Sequence, residues 1–263
     1  MRKDTGKLII FEGVDGVGKS TLLKQTYDML RSKGYNKVIK FKNIEEGSVT
    51  GNAIRRILDI RRSEYVDSLR IALLYTSELF YVFNKKDGIN DYLKKGYIVL
   101  LDRSIYSTYA YAGDKDSTLD FLDNIKKELP EEDLLVYTDA NISSIMKRLN
   151  KGKKDLYESE DKVKKHLRAY NQLFIRRVDF FGGNAVPLDN EFLYIRNSDN
   201  GNKPLPKVLP GTLEIYNKII LILKGENYGR TESSENDYFR AIRVEFKVLW
   251  GKLLNRWKGR KNR

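Results

Sequence analysis

Four residues near the start of the chain, Gly13, Gly18, Lys19 and Ser20, have the types and spacing for one kind of chemistry. They follow the pattern G-x-x-x-x-G-K-S. Glycines let a backbone curl until its N–H groups converge, and converging N–H groups bind phosphate oxygens. A helix predicted to begin near Lys19 would aim its positive end at the same point. Lys19 would then reach the β- and γ-phosphates of a nucleoside triphosphate, and Ser20 would ligate Mg²⁺. A second group lies in "LLDRSIYSTYAYAG", residues 100–113. Asp102 closes a predicted strand there and suits Mg²⁺ or its water. Arg103 carries a planar fork of donors that matches a phosphate bidentately.

These residues need a rigid frame. The apolar run Leu8–Phe11 ends at the glycine-rich turn and predicts a buried strand. Ser20–Lys33 has helical spacing and stops at Gly34. Further strands are predicted at Val38–Phe41, Tyr97–Asp102, residues 133–139 ("DLLVYTD") and Phe192–Ile195. Helices are predicted at Ala53–Ile60, Leu69–Phe83, Ile89–Lys95, Ser117–Leu129, Ile142–Asn150 and Asp161–Phe180. The helix over Leu69–Phe83 is mostly apolar, so it is expected to be buried. Continuous apolar strands alternating with helices predict an α/β fold, a parallel sheet covered on both faces. Sites in such sheets lie at the carboxyl ends of the strands, where both groups above fall. Residues 197–211, with three of the five prolines, predict an irregular loop. Residues 224–237, "KGENYGRTESSEND", read as a linker.

Composition sets bounds. Among 263 residues, 41% are hydrophobic, enough for a sizeable core. The absence of cysteine removes disulfide frameworks and thiolate sites, and fits a cytoplasmic protein. A single histidine, His166, rules out a His-rich metal site; it is expected to be solvated or packed on a helix. No run approaches 18 apolar residues, so a soluble, intracellular chain is expected. The formal charge of +13 points to polyanionic partners. Residues 238–263 carry nine Lys/Arg against one Glu, so the strongest basic signal is an appendage. Its Phe239, Ile242, Phe246, Leu249, Trp250, Leu253 and Trp257 fall near one helical stripe. Such a helix could pack on the core or in a homodimer, or meet a membrane surface, a nucleic acid or a partner helix.

The chain resembles the thymidylate kinase family. That family carries E-G-x-[DE]-G-x-G-K-[ST]-T, here "EGVDGVGKST", and D-R-[YF]-x-x-S-x-x-A-Y-Q, here "DRSIYSTYAYA". Its basic lid ends D-R-[FY]-E, here "KRLNKGKKDLYE". The resemblance spans residues 7–224 and implies a P-loop kinase fold: a five-stranded parallel sheet flanked by helices, with a lid. A basic helical extension would follow it in residues 225–263. The resemblance implies transfer of the ATP γ-phosphate to dTMP, giving dTDP, with Mg²⁺ and as a homodimer. It makes Gly13, Gly16, Gly18, Lys19, Ser20 and Thr21 the ATP-binding residues, and Ser20 and Asp102 the metal ligands. It implies that Asp15 holds the sugar 3′-hydroxyl and that Arg103 grips the acceptor phosphate. Tyr75 would stack on the base, Thr108 would touch its edge, and Tyr111 would pack under the sugar. Phe41 matches a family aromatic after the second strand. Because Gly16 stands in the P-loop, the catalytic arginine is expected in the lid, at Arg148, with Lys151, Lys153 and Lys154 beside it.

Departures keep alternatives open. The family's base-contacting arginine falls at Leu79, another arginine at Asn43, the D-R aromatic at Ser104 and the last lid arginine at Leu156. "DRSIYS" also matches the [DE]-R-S-x-Y-S of deoxynucleoside kinases. A neutral 5′-hydroxyl acceptor would need a carboxylate base, for which Glu45 and Glu46 are candidates. A monophosphate acceptor is already anionic near pH 7 and needs only positioning and charge neutralisation. A nucleoside monophosphate other than dTMP is a further alternative.

Overall fold

The computed structural model describes residues 6–59, 68–112, 116–149, 159–179, 192–196 and 209–225. The chain divides into two units, Met1–Gly225 and Glu226–Arg263. The predicted basic terminal helix and most of the lid, with Lys151, Lys153, Lys154 and Leu156, lie outside the described residues.

Five strands, β1 (Lys7–Glu12), β2 (Val38–Lys42), β3 (Ile98–Asp102), β4 (Leu134–Asp139) and β5 (Phe192–Arg196), form one sheet. All neighbouring pairs are parallel, in the order β2-β3-β1-β4-β5. From β1 the chain crosses to the edge strand β2 and returns to β3 beside β1, then crosses to β4 and β5 on the other side, so the connections diverge at β1. Register places Phe11 beside Asp102, and Lys42 beside Asp102 on the other edge of β3. The ends of β1 and β3 therefore come together.

Helices α1 (Lys19–Ser32) and α9 (Pro210–Lys224) cover one face through Leu22, Leu30, Ile215 and Ile219. The other face carries α3 (Ser68–Asn84), α4 (Ile89–Lys94), α5 (Ile105–Ala112) and α6 (Asp116–Lys127). Helix α2 (Val49–Asp59) packs on α3. A third apolar cluster joins the P-loop residues Val14 and Val17 to α7 (Ile142–Leu149) and α8 (Glu160–Asp179).

Helices α5 and α9 were not predicted, and other elements differ from expectation. The tyrosine-rich segment after Arg103 forms the helix α5. The loop predicted through residue 211 ends earlier, because Pro210 starts α9; a proline at the first helical position loses no hydrogen bond. Helix α3 is not wholly buried: Leu69, Leu73 and Tyr81 lie on one exposed stripe, 39%, 47% and 46% accessible.

Candidate functional site

The phosphate loop leaves β1 at Gly13 and enters α1 at Lys19. Gly13 has φ 142°, and a Cβ there would lie 2.4 Å from the Thr138 carbonyl oxygen. Gly16 has φ 80°, and a Cβ would meet Leu149 Cγ at 3.0 Å and the Ile145 carbonyl oxygen at 3.1 Å. Helix α7 thus sits directly on the loop. Arg148 of that helix donates from Nη1 to the carbonyls of Gly16 and Val17, at 3.0 and 3.1 Å. The lid's first arginine is therefore tied to the loop backbone.

Lys19 is only 6% exposed. Its Nζ lies 3.6 Å from Asp15 Oδ1 and 3.9 Å from Asp102 Oδ1. Ser20 Oγ donates to Asp102 Oδ2 at 2.7 Å, and Thr21 is exposed one step along α1. Asp102 Oδ1 is buried and accepts no hydrogen bond. A serine hydroxyl beside such a carboxylate is the hard oxygen set that Mg²⁺ takes. Among the described residues no group of three or more His, Cys, Asp or Glu could hold a metal.

Arg103 follows β3 in a left-handed conformation, φ 69°. For a residue with a Cβ this costs about 1 kcal/mol, so the surroundings must hold it. They do so from both sides. Ser104, the next residue, donates from its backbone N and from Oγ to Glu12 Oε1, at 2.7 and 2.8 Å. The guanidinium donates from Nη2 to Asp15 Oδ1 at 2.6 Å, and from Nη1 to Ser107 Oγ at 3.0 Å and Tyr170 Oη at 3.4 Å. Burial raises the Asp15 carboxyl, but Arg103 and then Lys19 outweigh it and hold the group well below the usual carboxylate range. Burial likewise works against the Arg103 cation, and Asp15 more than restores it, so the guanidinium stays charged.

Tyr111 closes this cluster. Its hydroxyl donates to Asp15 Oδ2 at 3.4 Å, and Arg103 Cζ lies 5.5 Å from its ring centre. His166 stacks on the Tyr111 ring, with centroids 4.1 Å apart. Burial, then Asp15, pushes the Tyr111 hydroxyl well above its ordinary value. Burial, then Lys165, lowers His166 to about 4, so the imidazole is neutral at pH 7.

A family model described as thymidylate kinase matches residues 11–197. The chain belongs to the thymidylate kinase family. It is 29% identical over 222 residues to the thymidylate kinase of Ureaplasma parvum, covering 80% of this chain and 91% of that one. It is 33% identical over 171 residues to the thymidylate kinase of Leptospira borgpetersenii, covering 63% and 80%. The solved thymidylate kinase of Candida albicans shares the fold, with a TM-score of 0.61, 22% identity, and 86% and 96% of the two chains covered. Thymidylate kinases are ATP-dependent nucleoside monophosphate kinases, and the five-stranded parallel sheet is a P-loop kinase sheet.

Of the residues that the family resemblance singled out, the structure gathers Asp15, Lys19, Ser20, Asp102, Arg103 and Tyr111 within one set of contacts. Tyr75 is half-buried on α3 and close enough to Tyr111 to add to the rise of its hydroxyl. Thr108 is 2% exposed, and its buried Oγ1 has no hydrogen-bond partner. Phe41 is held edge-on against Tyr92, 5.8 Å between centroids. The departures from the thymidylate kinase pattern now have positions. Leu79 is a core residue, 1% exposed. Asn43 is as deeply buried, with both carboxamide atoms unpartnered. Ser104 turns inward to Glu12. Glu45 ion-pairs with Lys85, and Glu46 is exposed. Glu12, Ser107 and Tyr170 were not foreseen as site residues. The available signals were a carboxylate ending an apolar strand, the second serine of "DRSIYS", and a tyrosine four residues after His166 on one helix face.

Proposed function

We propose that this chain transfers the γ-phosphate of ATP to dTMP, giving dTDP and ADP. The observation that carries this is the Asp15 bridge: one carboxylate oxygen contacts both Lys19 of the phosphate loop and Arg103 of the neighbouring strand end. Two phosphate-binding cations are thereby set side by side, one suited to the donor and one to an acceptor that itself carries phosphate. In-line transfer between two phosphates asks for alignment and charge neutralisation rather than a base.

The roles follow from the contacts. Backbone N–H groups of residues 13–19 and the α1 N-terminus hold the donor phosphates. Lys19 stabilises charge on the transferring group. Ser20 and Asp102 would hold Mg²⁺, which when bound neutralises phosphate oxygens of the donor. Arg103 orients the acceptor phosphate. Asp15 keeps both cations in place and is available to the sugar 3′-hydroxyl, with Tyr111 under the sugar. Tyr75 stacks on the base, with Thr108, and Phe41 further along β2, as the remaining contacts. Arg148, on the loop carbonyls, brings the lid to the transferring phosphate.

The nucleoside-acceptor alternative loses support at Ser104 and Glu45, with Glu46 left exposed. Ser104 faces Glu12 in the core, and the Glu45 carboxylate is occupied by Lys85. The same proposal has residues 1–224 as the kinase domain, a homodimer that covers the apolar stripe of α3, and a cytoplasmic setting. It also keeps the basic segment of residues 225–263 as a contact for a polyanion or membrane surface, on its charge alone.

The test is ADP release with Mg-ATP against dTMP, dUMP, dCMP, dAMP, dGMP and thymidine. Turnover is expected with dTMP and none with thymidine. Turnover of thymidine without any monophosphate would overturn the assignment.

A further inference from the structure

Glu12 has no part in the scheme above, yet five hydrogen bonds converge on its carboxylate. It is the last residue of β1 and fully buried, 0% exposed. A carboxylate in that position must be compensated by donors. Five are present. Oε1 accepts from Ser104 N at 2.7 Å, Ser104 Oγ at 2.8 Å and Ser107 N at 3.3 Å. Oε2 accepts from Ser107 Oγ at 2.7 Å and Tyr170 Oη at 2.8 Å.

Ser107 and Tyr170 are also the two hydroxyls that Arg103 Nη1 donates to. A hydroxyl has one proton and two lone pairs. When each gives its proton to Glu12, it can only offer lone pairs to the guanidinium. The two hydroxyls also lie 2.9 Å from each other; with both protons on Glu12 Oε2, none is left to pass between them or to turn toward Nη1, and Glu12 in this way biases the polarity of the pair. An amide in its place would compete as a donor, and either hydroxyl could turn its O–H against Nη1. Through Ser104, Glu12 also pins the backbone step after the left-handed Arg103.

We propose that Glu12 is a positioning residue for the acceptor phosphate, acting on Arg103 through Ser107 and Tyr170. This rests on the reading of Arg103 as the acceptor-phosphate residue. Tyr170 carries the control into α8, the described helix that follows the lid segment.

The test compares the full chain with Glu12→Gln, Tyr170→Phe and Ser107→Ala. For Glu12→Gln the acceptor KM should rise about tenfold or more while the ATP KM stays within about twofold. For Tyr170→Phe and Ser107→Ala the acceptor KM should rise about three- to fivefold while the ATP KM stays within about twofold. In the double variant Glu12→Gln/Arg103→Lys the loss should be no larger than for Arg103→Lys alone. Equal rises in both KM values, or multiplying effects in the double variant, would overturn the proposal. Should Glu12→Gln fail to fold, an unchanged acceptor KM in both hydroxyl variants overturns it equally. A readout without substrate separates this from the assignment of function. The Arg103 side-chain N–H signals in the ¹⁵N spectrum should broaden or vanish in Tyr170→Phe. That loss in a chain inactive on every monophosphate would sink the assignment and keep the positioning role. Unchanged signals would sink the positioning role.

Discussion

In the proposed scheme the phosphate site at residues 13–20 is made of backbone: a loop, two tight glycines and the start of a helix. At residues 102–111 it is made of side chains: Arg103 held by Asp15, Ser107 and Tyr170, with Tyr111 beneath. The donor side is mostly local, with Asp102 reaching Ser20 from the end of β3, whereas the acceptor side draws on the phosphate loop, α5 and α8. Backbone sites tolerate change in neighbouring side chains but not in glycine. Side-chain sites tolerate nothing that reorients a partner.

Four substitutions sharpen that contrast. Lys19→Met should have the largest effect, lowering kcat by about a thousandfold or more with little change in Tm, because it removes transition-state charge stabilisation. A stopped assay with saturating substrates measures it; a loss under tenfold would place the catalytic cation elsewhere. Arg103→Lys should lower kcat/KM for the acceptor about a hundredfold while the ATP KM moves little, since an ammonium cannot reproduce the fork. Equal losses for both substrates would erase the division between the two sides. Gly16→Ala should destabilise by about 2 kcal/mol through its positive φ and its contact with α7. It should raise the ATP KM more than the acceptor KM, the reverse of the arginine variant. Denaturation with and without ATP reads both.

His166 gives the smallest effect and the clearest pH signature. Its folded value of about 4 lies below the ordinary 6.5, so the unfolded chain binds the extra proton between those values. Stability from this group is intact above pH 6.5 and falls as pH drops toward 4. His166→Phe, which keeps an aromatic ring on Tyr111, should lose about 2 kcal/mol less than the parent chain between pH 7.5 and pH 4.5. Parallel pH profiles for the two chains would show that the imidazole is not the titrating group.

Much of the fold was legible because its signals are local. The strands predicted from Val38, Tyr97 and Phe192 and the helices predicted from Ser20, Ile142 and Asp161 begin within one residue of the observed starts. Apolar runs and glycine stops report burial and chain reversal directly. Helix α2 begins at Val49 rather than Ala53, where Val49 is 89% exposed and carries no hydrophobic periodicity. The α3 stripe was invisible in sequence because an apolar residue does not say whether its own chain covers it. The P-loop match and the D-R pair picked out residues that the structure brings together. Neither could say that Ser104 faces inward or that Leu79 is core, since a residue's direction depends on what packs against its helix.

By itself the sequence determined the phosphate chemistry. A curled loop needs only neighbouring residues, so its ligand can be read from their order. The tertiary structure alone decided what holds Arg103. Glu12 and Tyr170 meet at 2.8 Å across a separation of 158 residues. Hydrogen bonds are short and directional, so such a partner is chosen by strand order and helix placement, not by anything adjacent in the chain.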